Sequence, residues 1–270
     1  MALTVSIITA TYNSGSTLKD CIMSVASQSI PVEQIFIDCG STDATLEIIK
    51  QESPNSFAIS EPDKGIYDAL NKGIKIATGD VVGMLHADDF YVGPDTLKKV
   101  VEVFEGSQID ACYGDLLYVA DGSEEKGIRN KERENLKVVR YWKSGEYDPQ
   151  KFYWGWMPPN PTFFVRREVY EKYGLFNLDL GTAADYELML RFLLKHNISC
   201  AYIPEVLVKM RVGGASNISL ANRIKANRMD RKAWKVIGLK SYPWTLWMKP
   251  ARKIHQWFLP EARYNSAGGR

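Results

Sequence analysis

The chain has no long apolar run: nothing in it approaches the ~20 residues a helix needs to cross a bilayer, so a soluble or peripheral protein is expected. It also has no excess of either charge. The 34 Lys and Arg face 32 Asp and Glu, and a balance that even gives no reason to expect a nucleic-acid partner. Cysteine is scarce. Cys21, Cys39, Cys112 and Cys200 form no C-x-x-C pair and no metal-ligand spacing, which suits a reduced, cytosolic chain. The first residues enter strand-like sequence without a charged and then apolar leader, so no secretory signal is expected. Repeats and low-complexity segments are absent as well. What is present is 270 residues, 45% hydrophobic and 24% charged. That is enough to bury a sizeable core in one large α/β domain, with or without an appendage.

The first hundred residues alternate strand and helix patterns. Leu3 to Thr9 alternates and is rich in β-branched residues, as a strand is. Tyr12 to Gly15 breaks it, and Ser16 can cap a helix whose Leu18, Ile22 and Val25 share one face. Gln34 to Asp38 reads as a short buried strand, and Gly40 to Asp43 as a turn into a helix reaching about Gln51. Phe57 to Ser60 is a further strand, followed by a loop from Glu61 to Gly65 and a helix from Ile66 to Ala77. The apolar run Val81 to Leu85 ends at His86-Ala87-Asp88-Asp89. Strands alternating with helices imply a parallel sheet covered on both faces, with ligands bound at the carboxyl ends of its strands. Asp38 and Asp88 both fall at such ends.

The second half is less regular. Strands are expected from Asp110 to Val119, from Thr162 to Arg166, near Cys200 to Ile203 and from Leu207 to Arg211. Asp121 to Lys137 reads as a charged excursion, Trp154 to Pro159 as a stiff aromatic turn, and Tyr186 to Lys195 and Arg223 to Ile237 as helices.

Acids at loop and strand ends are costly to bury without a purpose. Asp38 either accepts a hydrogen bond from a nucleobase or caps the helix that follows it. Asp88-Asp89 reads as a surface turn or as hard oxygen ligands for a divalent cation that neutralises a diphosphate. Asp185, before an amphipathic helix, reads on its own as an N-cap.

Together these residues carry a resemblance. Val5 to Asn13, Phe36 to Asp43, Glu61 to Gly73, Ala77 to Asp80 and Leu85 to Asp89 occur in an order similar to family 2 glycosyltransferases of the GT-A fold. Within that family the chain most resembles bacterial enzymes that build O-antigen, capsule and exopolysaccharide repeat units, and the likeness extends to about Asn217. It implies a Rossmann-like, mostly parallel sheet over 1–217, with a nucleotide-binding half (1–100), an acceptor half (101–217) and a helical extension (218–270). Thr9, Thr11 and Tyr12 would line a nucleoside pocket, and Asp38 would contact the base, taken as uracil. Asp63, Lys64, Gly65 and Asp68 would close round the ribose and diphosphate, with His86 and Ala87 also on the donor side. Asp88, with Asp89 beside it, would bind Mn²⁺ or Mg²⁺. His86 stands where the family's Asp-x-Asp motif has its first acid, so it faces the sugar or a water, or is a structural histidine. Asn160 occupies a position where similar sequences often carry His.

On the acceptor side, the resemblance makes Asp185 the catalytic base in Thr182 to Leu188, while Arg211 and the glycine loop to Asn217 fold over the diphosphate. The implied reaction is inverting transfer from a UDP-linked sugar to a hydroxyl of a lipid-linked glycan. Transfer to a polyprenyl phosphate and a non-catalytic carbohydrate-binding subunit are the alternatives. A nucleotidyltransferase would need a Gly-rich, Arg-containing loop after the first strand, and Thr9 to Ser14 offers none.

From Arg223 to Lys253 the tail carries ten basic residues against the single acid Asp230, interleaved with Trp244, Leu246 and Trp247. That pattern suits a helix lying on the inner face of an anionic membrane, with contact through 241–259. Packing on the catalytic domain or a homo-oligomer interface are the other readings.

Overall fold

In a computed structural model of the chain, the described residues are 2–121, 136–213, 220–254 and 256. They run β1 (Val5–Thr11), α1 (Leu18–Ala26), β2 (Val32–Asp38), α2 (Thr45–Glu52), β3 (Phe57–Ser60), α3 (Ile66–Ile76), β4 (Val81–Met84), β5 (Phe90–Tyr91), α4 (Thr96–Gly106), β6 (Ala111–Asp121) and β7 (Leu136–Trp142). Then follow β8 (Phe164–Arg166), α5 (Arg167–Tyr173), α6 (Ala184–Met189), β9 (Cys200–Arg211), α7 (Leu220–Val236) and α8 (Thr245–Ile254).

The strands form one nine-stranded sheet in the order β3-β2-β1-β4-β8-β6-β9-β5, with β7 also paired to β6. The parallel portion expected from the alternating pattern is β3-β2-β1-β4. Beyond it β8 runs antiparallel to both β4 and β6, and β9 is parallel to β6 but antiparallel to β5. The result is a Rossmann-like α/β fold whose central sheet is mixed.

Alternation along β1 sends neighbouring side chains to opposite faces, and two cores follow from it. Ile7, with Phe36 and Val81, packs under α1, α2 and α4 through Leu18, Ile22, Ile49, Leu97 and Phe104. Ile8, with Ile35, Ile37 and Met84, packs against α3 and α6 through Leu70, Ile74, Leu188 and Met189. Close contact on the second face requires Gly73, since a Cβ there would lie 2.4 Å from Ile8.

Several boundaries differ from the sequence expectations. The two strands expected at 200–211 are one, β9. It passes through Pro204, and its register on β6 shifts around Asp115, so the missing N–H is absorbed at an irregularity. The helix expected over Tyr186 to Lys195 is α6 continued by a π-helical turn, Leu190–Lys195. Of the charged excursion, residues 122–135 lie outside the described residues, as does the glycine loop from Gly214 to Asn217.

The tail packs on the domain. Ala233, Trp234 and Ile237 of the α7 region are buried in the second core. Thr245 donates its hydroxyl to the Tyr153 carbonyl at 2.7 Å. Gly155 ends a short 3-10 turn, Pro149–Trp154, in the left-handed region at φ 74°. A Cβ on it would come within 2.5 Å of the Lys249 backbone nitrogen, so the aromatic turn and α8 touch backbone to side-chain-free backbone. Among the described residues no helix is long and apolar enough to cross a membrane.

Candidate active site

The carboxyl ends of β1, β2 and β3 meet at one acid. Register places Thr11 opposite Asp38 and Asp38 opposite Ser60. Thr11 donates to Asp38 Oδ1 at 2.9 Å, Ser60 to Oδ2 at 2.7 Å and the Ser41 backbone N–H to Oδ2 at 2.9 Å, and the Ser41 hydroxyl adds a short bond to Oδ1. Burial alone would push this carboxyl up, but the donors on it hold it below the ordinary range. Asp38 does not cap the next helix: α2 starts at Thr45, and Asp43 takes the N–H groups of Gly15 and Thr45. The β1 and β2 loops are further stitched together, with Asn13 N–H donating to Ser41 at 2.8 Å and Thr42 N–H to Asn13 at 2.9 Å. Tyr12 stands clear of this scaffold at 63% exposure, whereas Thr9 is fully enclosed. The Thr9 hydroxyl faces the Cys21 thiol at 3.9 Å, which places it between β1 and α1 and away from any open pocket.

The loop after β3 closes over the same end. Asp63 lies against the Cys39 thiol and accepts from the Gly65 N–H at 2.7 Å. Lys64 N–H donates to Asp68 at 3.0 Å, which ties the loop to the first turn of α3. Gly65 takes φ 108°, a conformation that favours glycine, and both Lys64 and Gly65 are exposed.

At the end of β4 the four residues 86–89 divide. His86 and Asp88 are half-buried, and Ala87 is buried. Burial lowers the His86 imidazole, while Asp88 opposes that, so the neutral, ligand-competent ring is favoured near pH 7. Asp89 is at 0% exposure, and neither of its carboxylate oxygens has a hydrogen-bond partner of ordinary geometry. Burial and then Asp88 push its pKa well above the ordinary range, against the opposing pull of Arg211. Asp89 is therefore enclosed while Asp88 is accessible. Arg211 serves this turn from behind. Its guanidinium pairs with Asp20 on α1 at 2.5 Å, lies over the Phe90 ring and approaches the Asp88 carbonyl at 3.4 Å. In this arrangement the guanidinium holds the acidic turn.

A divalent cation bound by one or two carboxylates plus substrate phosphates needs few protein ligands. Asp88 fits that description. Among the described residues no cluster of three or more acidic, His or Cys side chains comes together.

Asp185 lies in the first turn of α6, two residues past the cap position, which Ala183 occupies without a side-chain bond. It is half-buried. Burial raises its pKa, Lys249 and the Tyr186 N–H lower it, and Asp230 raises it, with the Tyr67 hydroxyl bonded to the carboxylate. Tyr67 belongs to the first turn of α3, whose Asp68 holds the Asp63 loop. A single helix start thus links the strand-end acids to Asp185. The loop after α5 is fixed from the same helix: the Asn71 side chain brackets the Phe176 backbone with two bonds of 2.9 Å. Glu187 is buried and paired with Arg191 at 2.7 Å, so it is a structural ion pair.

A model of the family described as "Glycosyl transferase family 2" matches residues 6–174. The chain belongs to glycosyltransferase family 2. It is 28% identical over 219 residues to a PGL/p-HBAD biosynthesis glycosyltransferase of Mycobacterium bovis, covering 78% of each chain. An uncharacterised glycosyltransferase of Mycobacterium tuberculosis is 33% identical over 194 residues, 70% of this chain and 69% of that one. Among solved structures, S. aureus TarS 1-349 in complex with UDP-GlcNAc aligns with a TM-score of 0.62 at 17% identity, over 99% of this chain and 76% of that one. The mannosyltransferase PcManGT from Pyrobaculum calidifontis, in complex with GDP-Man and Mn²⁺, aligns at 0.61 and 17% identity, over 100% and 77%. The GT-A architecture of this family 2 chain is thereby matched across its whole length.

Sequence reasoning overlooked three members of the site. Tyr67 lay within a recognised helix, but nothing in its spacing pointed to Asp185. Ser60 closed a strand whose register on β2 was needed to place it at Asp38. Lys249 was read as part of a basic surface, and its pairing with Asp230 at 2.8 Å depends on how α8 docks.

Proposed function

We propose that this chain is an inverting glycosyltransferase that moves a sugar from a nucleoside diphosphate, taken as UDP, to a hydroxyl of a lipid-linked glycan in bacterial surface polysaccharide synthesis. The observation that carries the reading is the first turn of α3. It holds the Asp63 loop at the strand ends through Asp68 and meets Asp185 through Tyr67. Strand-end acids on one side and a lone carboxylate on the other suit an in-line displacement.

In that reaction the acceptor oxygen attacks the anomeric carbon while the carbon–oxygen bond to the diphosphate breaks. The bonding pair leaves with the diphosphate, and the acceptor proton passes to Asp185. A carboxylate raised by burial is a stronger base than an exposed one, provided it remains ionised. Asp88 would hold Mn²⁺ or Mg²⁺, which supplies charge neutralisation for the departing diphosphate. Asp38 organises the nucleoside end through Thr11, Ser41 and Ser60, leaving Tyr12 and the exposed Lys64 and Gly65 to meet the donor. Thr9, Asp89 and Arg211 support these groups from the interior.

The named solved structures hold UDP-GlcNAc or GDP-Man, which supports a nucleotide-sugar donor. A membrane-surface location is supported by Trp247 and Trp244, 70% and 44% exposed on the basic tail.

The test is a panel of nucleotide sugars with Mn²⁺, assayed by calorimetry and by product formation. D185N is expected to keep donor binding while losing about 10²- to 10⁴-fold in turnover, the range of general-base contributions. Near-normal turnover would remove Asp185 from the role.

A further inference from the structure

The tail brings one cation to the acceptor side of the site. Lys249 of α8 extends its ammonium to within 3.5 Å of the Tyr186 ring centroid, and Tyr186 directly follows Asp185 in α6. Its partner is Asp230 of α7, at 2.8 Å, and both side chains are largely withdrawn from solvent. A buried pair is weak evidence of stability, and removing one partner leaves the other charge buried and unpaired. The pair is also rigidly placed. Trp234, four residues after Asp230 on α7, donates its indole N–H to the Tyr186 hydroxyl at 3.0 Å. On the α8 side, the Gly155 contact holds the Lys249 backbone against the aromatic turn.

We propose that Lys249, held by Asp230, is a positioning residue that keeps the Asp185 carboxylate oriented and ionised, which makes the α7–α8 tail a working part of the active site. This rests on the reading of Asp185 as the base. The groups facing that carboxylate are Tyr67 from α3, Tyr186 from α6 itself, Asp230 from α7 and Lys249 from α8. Two of these carry opposite charges, so their removal has opposite consequences. Without the ammonium, the ionised carboxylate loses its nearby cation and protonates more readily. Without the Asp230 carboxylate, Lys249 acts on Asp185 unopposed and the carboxylate holds its charge to lower pH. The tail therefore sets where on the pH axis the base becomes available.

The experiment measures kcat and KM against pH for the full chain and for the K249M, K249R and D230N variants. The rising acidic limb of kcat is expected to move up by about one pH unit in K249M and down by a similar amount in D230N. K249R, which keeps the cation, should lie near the wild-type limb, and donor KM should stay within a few-fold in all three. Packing alone would lower activity or melting temperature without moving the limbs apart. Limbs that stay fixed, or that move in the same direction, overturn the proposal. Should K249M fail to fold, K249Q, which likewise lacks the charge, takes its place in the sign test. D185N in the same assay separates the two levels: retained turnover removes the base reading itself. Lost turnover with fixed limbs removes only the assignment of Lys249.

Discussion

Asp38 and Thr11 stand in register on neighbouring strands, with the threonine hydroxyl donating 2.9 Å to the carboxylate. Ser60 completes the arrangement from the opposite strand. A carboxylate depressed by such donors stabilises the fold above the ordinary carboxylate range, and that contribution is lost as pH falls through the folded-state value. Asp38→Ala is therefore expected to cost about 1–3 kcal/mol at pH 7, since it leaves the buried Thr11 hydroxyl without its acceptor. The gap between wild type and Asp38→Asn should begin to narrow below about pH 4, where the carboxyl of the unfolded chain protonates, and close as pH falls further through the lowered folded value. Urea unfolding at pH 7 and at pH values stepped down below about 4 checks both. A gap that does not change with pH would remove the charge from the account.

Asp89 behaves in the opposite sense. Its pKa is raised by burial and by Asp88, so the folded state holds a proton that the unfolded chain releases at lower pH. Stability from this group is fully present below the unfolded value and declines as pH rises through the folded one. Asp89→Asn keeps the shape without the charge and is expected to melt higher than wild type at pH 8, with the advantage vanishing near pH 4. Melting curves in chelator isolate the effect from cation binding. A variant less stable than wild type at pH 8 would show that the ionised form is satisfied.

Asp88 should separate from Asp89 in function. Asp88 is accessible beside the neutral His86, whereas Asp89 is sealed within the turn. Asp88→Asn is expected to abolish Mn²⁺-dependent tightening of nucleotide binding and to reduce turnover by about 100-fold or more, as loss of a charge-stabilising group does. Asp89→Asn should retain metal-dependent binding. Calorimetry with and without Mn²⁺ decides, and equal losses in both variants would make Asp89 a ligand too.

The strands and helices of the first hundred residues were legible in the sequence because their signals are local. Leu3 to Thr9 declares a strand by its β-branched run, and the structure has one at Val5–Thr11. The strand-end acids followed from the rule that ligands sit at carboxyl ends. What the pattern did not carry was anything set by register or docking. Ser60 reaches Asp38 only because β3 pairs with β2 at that offset, and the same holds for Tyr67 and Asp185. The resemblance assigns Arg211 to the diphosphate, and nothing in its local sequence announces the pairing with Asp20, 191 positions away. The tail was legible as basic and aromatic, but the sequence does not say which of its cations turn inward. Asp230 and Lys249 do, so the truncation of 241–270 that composition suggests as a membrane test would also strip the site of its cation.

Gly155→Ala tests the docking of that tail directly. The added methyl would meet the α8 backbone at 2.5–2.9 Å, and φ 74° already disfavours a side chain. A strain of about 1–3 kcal/mol is expected from the backbone conformation, with more from displacing α8. Melting temperature and kcat should fall together, whereas donor binding, which depends on β1 to β4, should be retained. Loss of stability with unchanged kcat would show that α8 docks without influencing the site.

Membrane attachment is better tested by point variants than by truncation. Trp244 and Trp247 are exposed on the tail that also carries the exposed Lys235 and Lys240, while the tail's Asp230 is turned inward to Lys249. Interfacial Trp and basic side chains favour anionic headgroups, each cation near the surface contributing about 1 kcal/mol. Trp247→Ala with Trp244→Ala is expected to weaken binding to phosphatidylglycerol-containing vesicles by about 10-fold or more, the loss that two interfacial aromatics can account for. Binding to neutral vesicles should be weak in both proteins, and raising the salt concentration should lower the affinity of the wild type. Turnover on a water-soluble acceptor should be unaffected by Trp247→Ala alone, whose side chain is 70% exposed, whereas Trp244 also stacks on Tyr242 and lies against Trp154 of the aromatic turn. Vesicle co-sedimentation alongside that assay gives the answer, and unchanged sedimentation of the double variant would assign these rings to a protein contact.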